Sequence, residues 1–323
     1  MNRDRSCAFH IGECTGMERQ LRVSIVVFSP SGNTLKVGGM LEEQLVQRGA
    51  DVQLVDATRN ETLFRDRDPS RFLAKNMRPH DVLCIGGPVY AHHMHYNVLD
   101  LIKALPRPGN GWGRYAVPFV TYGTVSSGVA LEDAAKVLCR TGRRPLLAMK
   151  IDAYHCYGKL FPTDVNVGMP GAEAIPFIED LSARIVDLQG QQGEERPDVT
   201  RELRYLSFAD RAKAKVLIRE GLFQRHIYPA LRLDADKCVQ CGKCAEACPV
   251  LRLDMNETGP SVPSGAPQCI HCGSCIASCP SDAITFKTNM ERWGKLVHKA
   301  LSGNCVLASN ESPKSAVYPQ LQA

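Results

Sequence analysis

No stretch of this 323-residue chain reaches the roughly 18 consecutive apolar positions that a membrane span requires. The first twenty residues also lack the continuous apolar run of a signal peptide, so the expected protein is cytoplasmic, with no membrane span. A dominant sign of charge is missing as well: 39 Lys and Arg stand against 34 Asp and Glu, too small and dispersed a surplus to argue for nucleic acid. Two nucleotide signatures are absent. No Gly-Lys-Ser/Thr closes a Walker loop and no three-glycine spacing forms a dinucleotide fingerprint, which sets ATP and a nicotinamide aside. Hydrophobic positions at 44% and charged positions at 23% are ordinary for a globular chain with room for two domains.

What the chain does have is cysteine, fourteen residues, eight of them in one C-terminal block. In a short secreted chain that number would suggest disulfides, but the spacing here is that of metal ligands, which points to a reducing compartment. Cys238, Cys241, Cys244 and Cys248 precede Pro249, and the same C-x2-C-x2-C-x3-C-P pattern returns as Cys269, Cys272, Cys275 and Cys279 before Pro280. Gaps of two residues let three thiolates converge on one iron–sulfur cube, while the fourth cysteine of each run ligates the cube of the other. The pattern predicts two 4Fe-4S clusters, one on Cys238, Cys241, Cys244 and Cys279, the other on Cys269, Cys272, Cys275 and Cys248. Zinc also accepts four thiolates in paired CxxC arrangements, but it does not require a third cysteine two residues on and a fourth before proline. Residues 230–287 resemble a bacterial two-cluster ferredoxin, which implies neighbouring cubes that pass electrons one at a time.

Upstream the pattern is strand, loop, helix, repeated. Val23 to Phe28 is the short β-branched run of a buried parallel strand, and it ends in Ser29-Pro-Ser-Gly-Asn-Thr34. In the helix that follows, Val37, Leu41 and Leu45 share one face, and Gly49 stops it before a strand over 51–55. Further strands over 81–85 and 115–121 run into the loops Gly86 to Ala91 and Tyr122 to Gly128, and a fifth strand region over 144–153 and a helix over 171–188 complete the sheet. Ligands of open parallel sheets bind beyond the carboxyl ends of the strands, where these three loops can converge. Ser29, Ser31, Gly32, Asn33 and Thr34 sit where backbone N–H groups and a helix dipole can bind a phosphate monoester. The same residues also suit a plain N-capped helix start. A phosphate cradle beside two tyrosine-bearing loops describes FMN.

On these residues the segment 22–186 resembles flavodoxin. The resemblance implies FMN contacts from Ser29, Ser31, Gly32, Asn33 and Thr34 at the phosphate. Around the ring it implies Pro88, Val89, Tyr90 and Ala91 from one loop and Tyr122, Gly123, Thr124, Ser126, Ser127 and Gly128 from the other, with Tyr90 and Tyr122 as the aromatic contacts. Flavodoxins surround the flavin with acids, whereas this chain places His92, His93 and His95 directly after Tyr90. Protonated imidazoles there would stabilise a reduced flavin anion. Adjacent histidines on a loop are otherwise expected to be solvated.

The expected organisation is a flexible N-terminus over 1–21, despite Cys7, His10 and Cys14, then a flavodoxin-like domain over 22–188 and a linker with a basic helix over 189–229 whose apolar stripe packs on a domain. A ferredoxin domain over 230–289 and a helix with a loose tail over 290–323 follow. The whole chain resembles the stand-alone flavodoxin–ferredoxin fusion proteins of anaerobes: an α/β doubly wound parallel sheet followed by a small α+β domain. That implies a low-potential electron-transfer protein serving a redox partner protein. Two alternatives stay open: an FMN-dependent reductase acting on a small molecule held near Tyr90 and the histidines, and a ferredoxin whose flavodoxin-like half is a flavin-free docking module.

Overall fold

The computed structural model describes residues 19–123, 125–155, 166–189, 198–287 and 311–320, together with Lys295 and Lys299. Its first part alternates strand and helix: β1 (Arg22–Val27), α1 (Asn33–Gln47), β2 (Asp51–Asp56), α2 (Glu61–Phe64), α3 (Pro69–Asn76), β3 (Val82–Tyr90), β4 (His93–Met94), α4 (Tyr96–Ala104), β5 (Tyr115–Tyr122), α5 (Ala130–Arg140), β6 (Arg144–Pro145), β7 (Ala148–Asp152) and α6 (Ile175–Asp187). Short elements follow: α7 (Phe208–Val216), α8 (Glu220–Leu222), β8 (Leu231–Leu233), α9 (Lys243–Glu246), β9 (Asp254–Asn256), β10 (Gly259–Ser261), α10 (Ser274–Ala277), β11 (Ile284–Phe286) and β12 (Ala316–Tyr318).

The long strands pair in parallel in the order β2-β1-β3-β5-β7. Counting only these, the order is 2-1-3-4-5, that of a flavodoxin-like doubly wound sheet, whose switch point lies between β1 and β3. Both faces are covered, which is why β1 and β3 are predominantly apolar and almost wholly buried. Val37, Leu41 and Leu45 of α1 pack with Ile178, Leu181 and Ile185 of α6 on one face, while α3, α4 and α5 cover the other. Helix α1 lies close to the sheet, since a Cβ on Gly38 would come within 3.1 Å of Val27 Cγ1.

The C-terminal segment overturns the expectation of a loose tail. Strand β12 adds antiparallel to β7 at the edge of the sheet, with Ala316 opposite Lys150 and Tyr318 opposite Ala148. It satisfies an edge that would otherwise present unpaired backbone groups. In the chain the small α+β unit comes between α6 and this strand, and in it β8 pairs with β11 and β9 with β10. That unit shares a core with the sheet: Cys248, Val250, Leu251, Ile270 and Cys272 pack in the cluster that holds Phe28, Phe64, Leu101 and Val98. The segments 1–18, with Cys7, His10 and Cys14, and 300–310 lie outside the described residues.

Candidate functional site

The eight cysteines of the repeated motif form two rings. Cys238, Cys241, Cys244 and Cys279 line one small pocket, and Cys248, Cys269, Cys272 and Cys275 line another. Each pocket is lined by three cysteines of one run and the last cysteine of the other. Local backbone shape repeats with the cysteines: Gln240, Gly242 and Leu251 have positive φ, as do their counterparts His271, Gly273 and Asp282. Gly242 and Gly273 cap α9 and α10 in the left-handed region, which glycine enters without a Cβ penalty. Backbone N–H groups point at the sulfurs: Arg252 N donates to Cys248 Sγ at 3.2 Å, Ala283 N to Cys279 Sγ at 3.3 Å and His271 N to Cys269 Sγ at 3.4 Å. Such donors stabilise thiolates and tune a cluster held by them. The thiols ring a cavity rather than a point, and among the described residues no three His, Cys, Asp or Glu side chains close around a single metal ion. Burial pushes the free Cys272 thiol up to about 11, a shift that metal ligation overrides by deprotonating the thiol. The donor set and its shape fit iron–sulfur cubes.

The second ring lies at the junction with the sheet. Arg59 N donates to Pro249 O at 2.7 Å, and the Arg59 guanidinium reaches the carbonyls of Ala245 at 2.5 Å and Cys248 at 3.3 Å. Arg65 Nη2 pairs with Asp254 Oδ1 at 2.6 Å, and Arg67 Nη2 donates to Gly265 O at 3.0 Å. Ser274, between two cysteines of the second ring, donates to Pro30 O at 3.2 Å, inside the loop expected to hold a phosphate.

The three loops beyond the sheet converge. Thr34 Oγ1 meets Thr121 Oγ1 at 2.7 Å, Asn33 Nδ2 donates to Tyr154 O at 2.9 Å, and Ser29 Oγ accepts from Leu35 N at 2.9 Å. Thr58 Oγ1 accepts from Ser29 N at 2.8 Å. These side chains shape the loop through protein partners, which leaves Ser31 and Gly32 exposed at the start of α1. That helix has no side-chain cap and no acid in its first turn, an arrangement that favours an anion. Pro88 and Val89 lie within β3, and Tyr90 is buried beside β4, followed by Ala91 and His92 at positive φ. The third loop packs on the second: Val129 N donates to His92 O at 2.8 Å, and a Cβ on Gly128 would meet that oxygen at 2.1 Å. A Cβ on Gly123 would meet His155 Cδ2 at 2.6 Å, and Thr124 is outside the described residues.

The C-terminal segment covers this third loop, a feature invisible in the sequence reading. Glu311 accepts from Ser127 N at 2.8 Å and from Ser126 Oγ at 3.3 Å, and it pairs with Lys150 Nζ at 2.7 Å. Tyr122 donates its hydroxyl proton to Lys314 O at 2.6 Å. Tyr205 underlies the group, with Lys150 Nζ 4.4 Å from its ring centre and Tyr318 stacked on it. The residues present therefore fit a flavin phosphate at α1, while at the ring end Tyr122, Ser126 and Ser127 already have partners in the tail.

The histidines are not solvated, which corrects that expectation. His95 is fully buried, and burial pulls its pKa down to about 3. Its Nδ1 accepts from Asn97 N at 3.2 Å as the cap of α4, and its ring contacts Phe28, Tyr90 and Tyr96. His93 is different: burial opposes its charge, but Asp133 at 2.6 Å outweighs burial and raises its pKa. Any positive charge there is already matched by a carboxylate. The basic helix also reverses expectation. Arg211 and Lys215 of the α7 segment turn inward to buried Glu132, at 3.0 and 2.6 Å, whereas Phe208, Val216, Leu217 and Leu222 are exposed. Burial raises the Glu132 pKa, but its three cationic partners bring it down to about 2.

The 4Fe-4S dicluster domain family matches residues 230–280. No curated protein sequence matches the chain. Among solved structures, a flavodoxin from the domain Archaea aligns with 53% of this chain and 100% of its own, at 16% identity and a TM-score of 0.36. The flavodoxin of Streptococcus pneumonia TIGR4 aligns with 52% of this chain and 99% of its own, at 18% identity and a TM-score of 0.37. An NADH:FMN oxidoreductase in its apo form aligns with 54% and 92%, at 16% identity and a TM-score of 0.39. The chain joins a flavodoxin-like α/β fold, assigned by its own strand order, to a 4Fe-4S dicluster domain.

Proposed function

We propose that this protein is a low-potential electron carrier that relays electrons between two 4Fe-4S clusters and FMN on the way to a partner redox enzyme. Cys238, Cys241, Cys244 and Cys279 hold one cluster in this reading, and Cys248, Cys269, Cys272 and Cys275 hold the other. The observation that carries it is the seating of the second cysteine ring on the flavodoxin-like sheet, with Ser274 bonded to Pro30 in the phosphate loop. Between that ring and the Tyr90 loop stand Tyr96 and His95, their ring centres 4.4 Å apart, with Tyr90 a further 4.8 Å from His95. FMN takes up electrons singly or in pairs and each cluster carries one, so the pairing converts between the two regimes. Phosphate binding falls to the uncapped start of α1 at Ser31 and Gly32, with Tyr90 at the ring.

An anaerobic reductive titration of the full chain, followed by visible absorbance and electron paramagnetic resonance, tests the relay. Flavin and cluster signals that both respond, and that re-equilibrate within one molecule after a substoichiometric pulse of reductant, support it. A second reading has its own support: Glu311 and Lys314 take up donors of the third loop, as expected of a flavin-free docking module. Protein that shows only cluster signals after incubation with excess FMN would decide for that reading.

A further inference from the structure

The two cysteine rings differ in what surrounds them. Every residue lining the pocket of the second ring is buried or half-buried. Arg59 and Ser274 hold that ring on the sheet, and the segment ahead of β8 packs on it as well: His271 Nδ1 donates to Pro229 O at 3.2 Å, and the His271 ring centre lies 5.2 Å from that of Tyr228. The first ring is open instead. Cys241 is exposed, and so on the same pocket wall are Val239 and Met255, at 64% and 37% of full exposure. Apolar side chains left in water beside a cluster ligand are the kind of surface that a docked protein buries. The rim of this patch is acidic. Asp236 lies two residues before Cys238 and Asp282 three after Cys279. Glu257 stands in the turn between β9 and β10, which is held against the ring: Gln240 Nε2 donates to Glu257 O at 3.2 Å, and a Cβ on Gly259 would come within 3.3 Å of Cys238 Sγ. Asp236, Glu257 and Asp282 are exposed. Against them stand Lys243 and Lys237, the latter 3.9 Å from Asp234. A cluster held by four thiolates adds negative charge of its own.

We propose that the open face of the first ring, built on Val239, Cys241 and Met255 and rimmed by Asp236, Glu257 and Asp282, docks a basic redox protein that carries a one-electron centre. The second ring, shielded from solvent, exchanges electrons within the chain. This rests on the two-cluster part of the reading above and not on the flavin. Each exchange moves one electron between a cluster and the centre of the partner, with no bond made or broken and no proton transferred. The acidic rim draws the partner in and orients it, and the apolar patch excludes water at the contact.

The test uses ferricytochrome c, a basic haem protein, as the probe. Full-length holoprotein, reduced anaerobically and freed of reductant, is mixed with it, and haem reduction is followed by stopped-flow absorbance. The rate should fall several-fold as ionic strength rises from about 0.01 M to about 0.1 M, over which the Debye length shrinks from about 30 Å to about 10 Å. Asp236→Asn combined with Glu257→Gln should slow the reaction about threefold to fivefold at the lower ionic strength. Glu43→Lys, which changes the net charge equally from an exposed position on α1, should leave the rate native. Gln268→Lys, next to Cys269 of the second ring, should do the same. Iron per chain is measured first on each protein: about four in the native chain contradicts the two-cluster reading itself, whereas about eight isolates the docking face. If the double variant loses iron, Glu257→Gln decides alone. A rate that ignores salt, that stays native in the Asp236 and Glu257 variant, or that slows as much in Glu43→Lys or Gln268→Lys overturns the proposal.

Discussion

Glu311 and Lys150 stand 161 residues apart in the chain and meet at 2.7 Å between Oε1 and Nζ, with both side chains fully buried. Removing one partner strands a buried charge, which typically costs about 3–5 kcal/mol. Glu311→Ala should therefore lower the denaturant midpoint sharply, and Lys150→Met combined with Glu311→Leu should recover much of the loss. Burial raises the Glu311 pKa, but Lys150 overrides it and holds the carboxyl below its ordinary 4.5. Stability from the Glu311 carboxylate is accordingly present above that value and lost as pH falls through its folded pKa, while at Lys150 burial outweighs Glu311 and lowers the pKa. Equilibrium unfolding of the variants checks both statements.

His95 contributes the opposite kind of group, an imidazole kept neutral. Its folded pKa of about 3 lies below the ordinary 6.5, so the unfolded chain binds an extra proton below 6.5 and stability falls as pH drops toward the folded value. Glu220, 3.6 Å from His95 Nε2, is pushed up by burial to about 7, and its own contribution runs the other way between its ordinary 4.5 and that value. His95→Gln removes only the first dependence. Urea midpoints of native and variant protein should diverge between pH 7 and pH 5, with the native protein losing more; parallel curves would refute the assignment.

Arg59 ties the second cysteine ring to the sheet through two carbonyls and its own backbone N–H. Charge-assisted hydrogen bonds of this kind contribute roughly 1.5–3 kcal/mol each when buried, and less at an exposed site such as this one. Arg59→Ala should speed the loss of iron to an external chelator by several-fold while leaving the sheet intact, as read by absorbance bleaching and by far-ultraviolet circular dichroism.

The crossing of the motifs makes a further distinction. Cys248→Ala, in the first run, should remove iron from the ring of Cys269, Cys272 and Cys275. Cys279→Ala should instead deplete the ring of Cys238, Cys241 and Cys244. Paramagnetic resonance of each reduced variant should show one of the two signals and lose the coupling between them. Loss of the signal from the variant's own run would contradict the crossed arrangement.

The cysteine rings were legible in the sequence because their geometry is set by gaps of two and three residues, and the sheet was legible because β1, β3 and β5 are short apolar runs ahead of glycine-bearing loops. The Glu311 contact was not, because nothing local links a tail glutamate to a distant strand. One signal did exist: Lys150 sits inside the apolar run Ala148 to Ile151, and a lysine buried there requires a counter-charge. The histidines misled for a related reason. Adjacent polar residues look like a surface loop until β4 folds back on β3 and α4 takes His95 as its cap. For the α7 segment, a count of charges could not foresee that Glu132 draws its cations inward.

The central claim is that one chain carries two clusters and a flavin, and the most direct measurement is the iron, acid-labile sulfide and extractable flavin of anaerobically purified protein. The account predicts about eight iron, about eight sulfide and about one FMN per chain. About eight iron with no flavin, even after incubation with excess FMN, would contradict the relay, and iron near four or below would contradict the two-cluster arrangement itself.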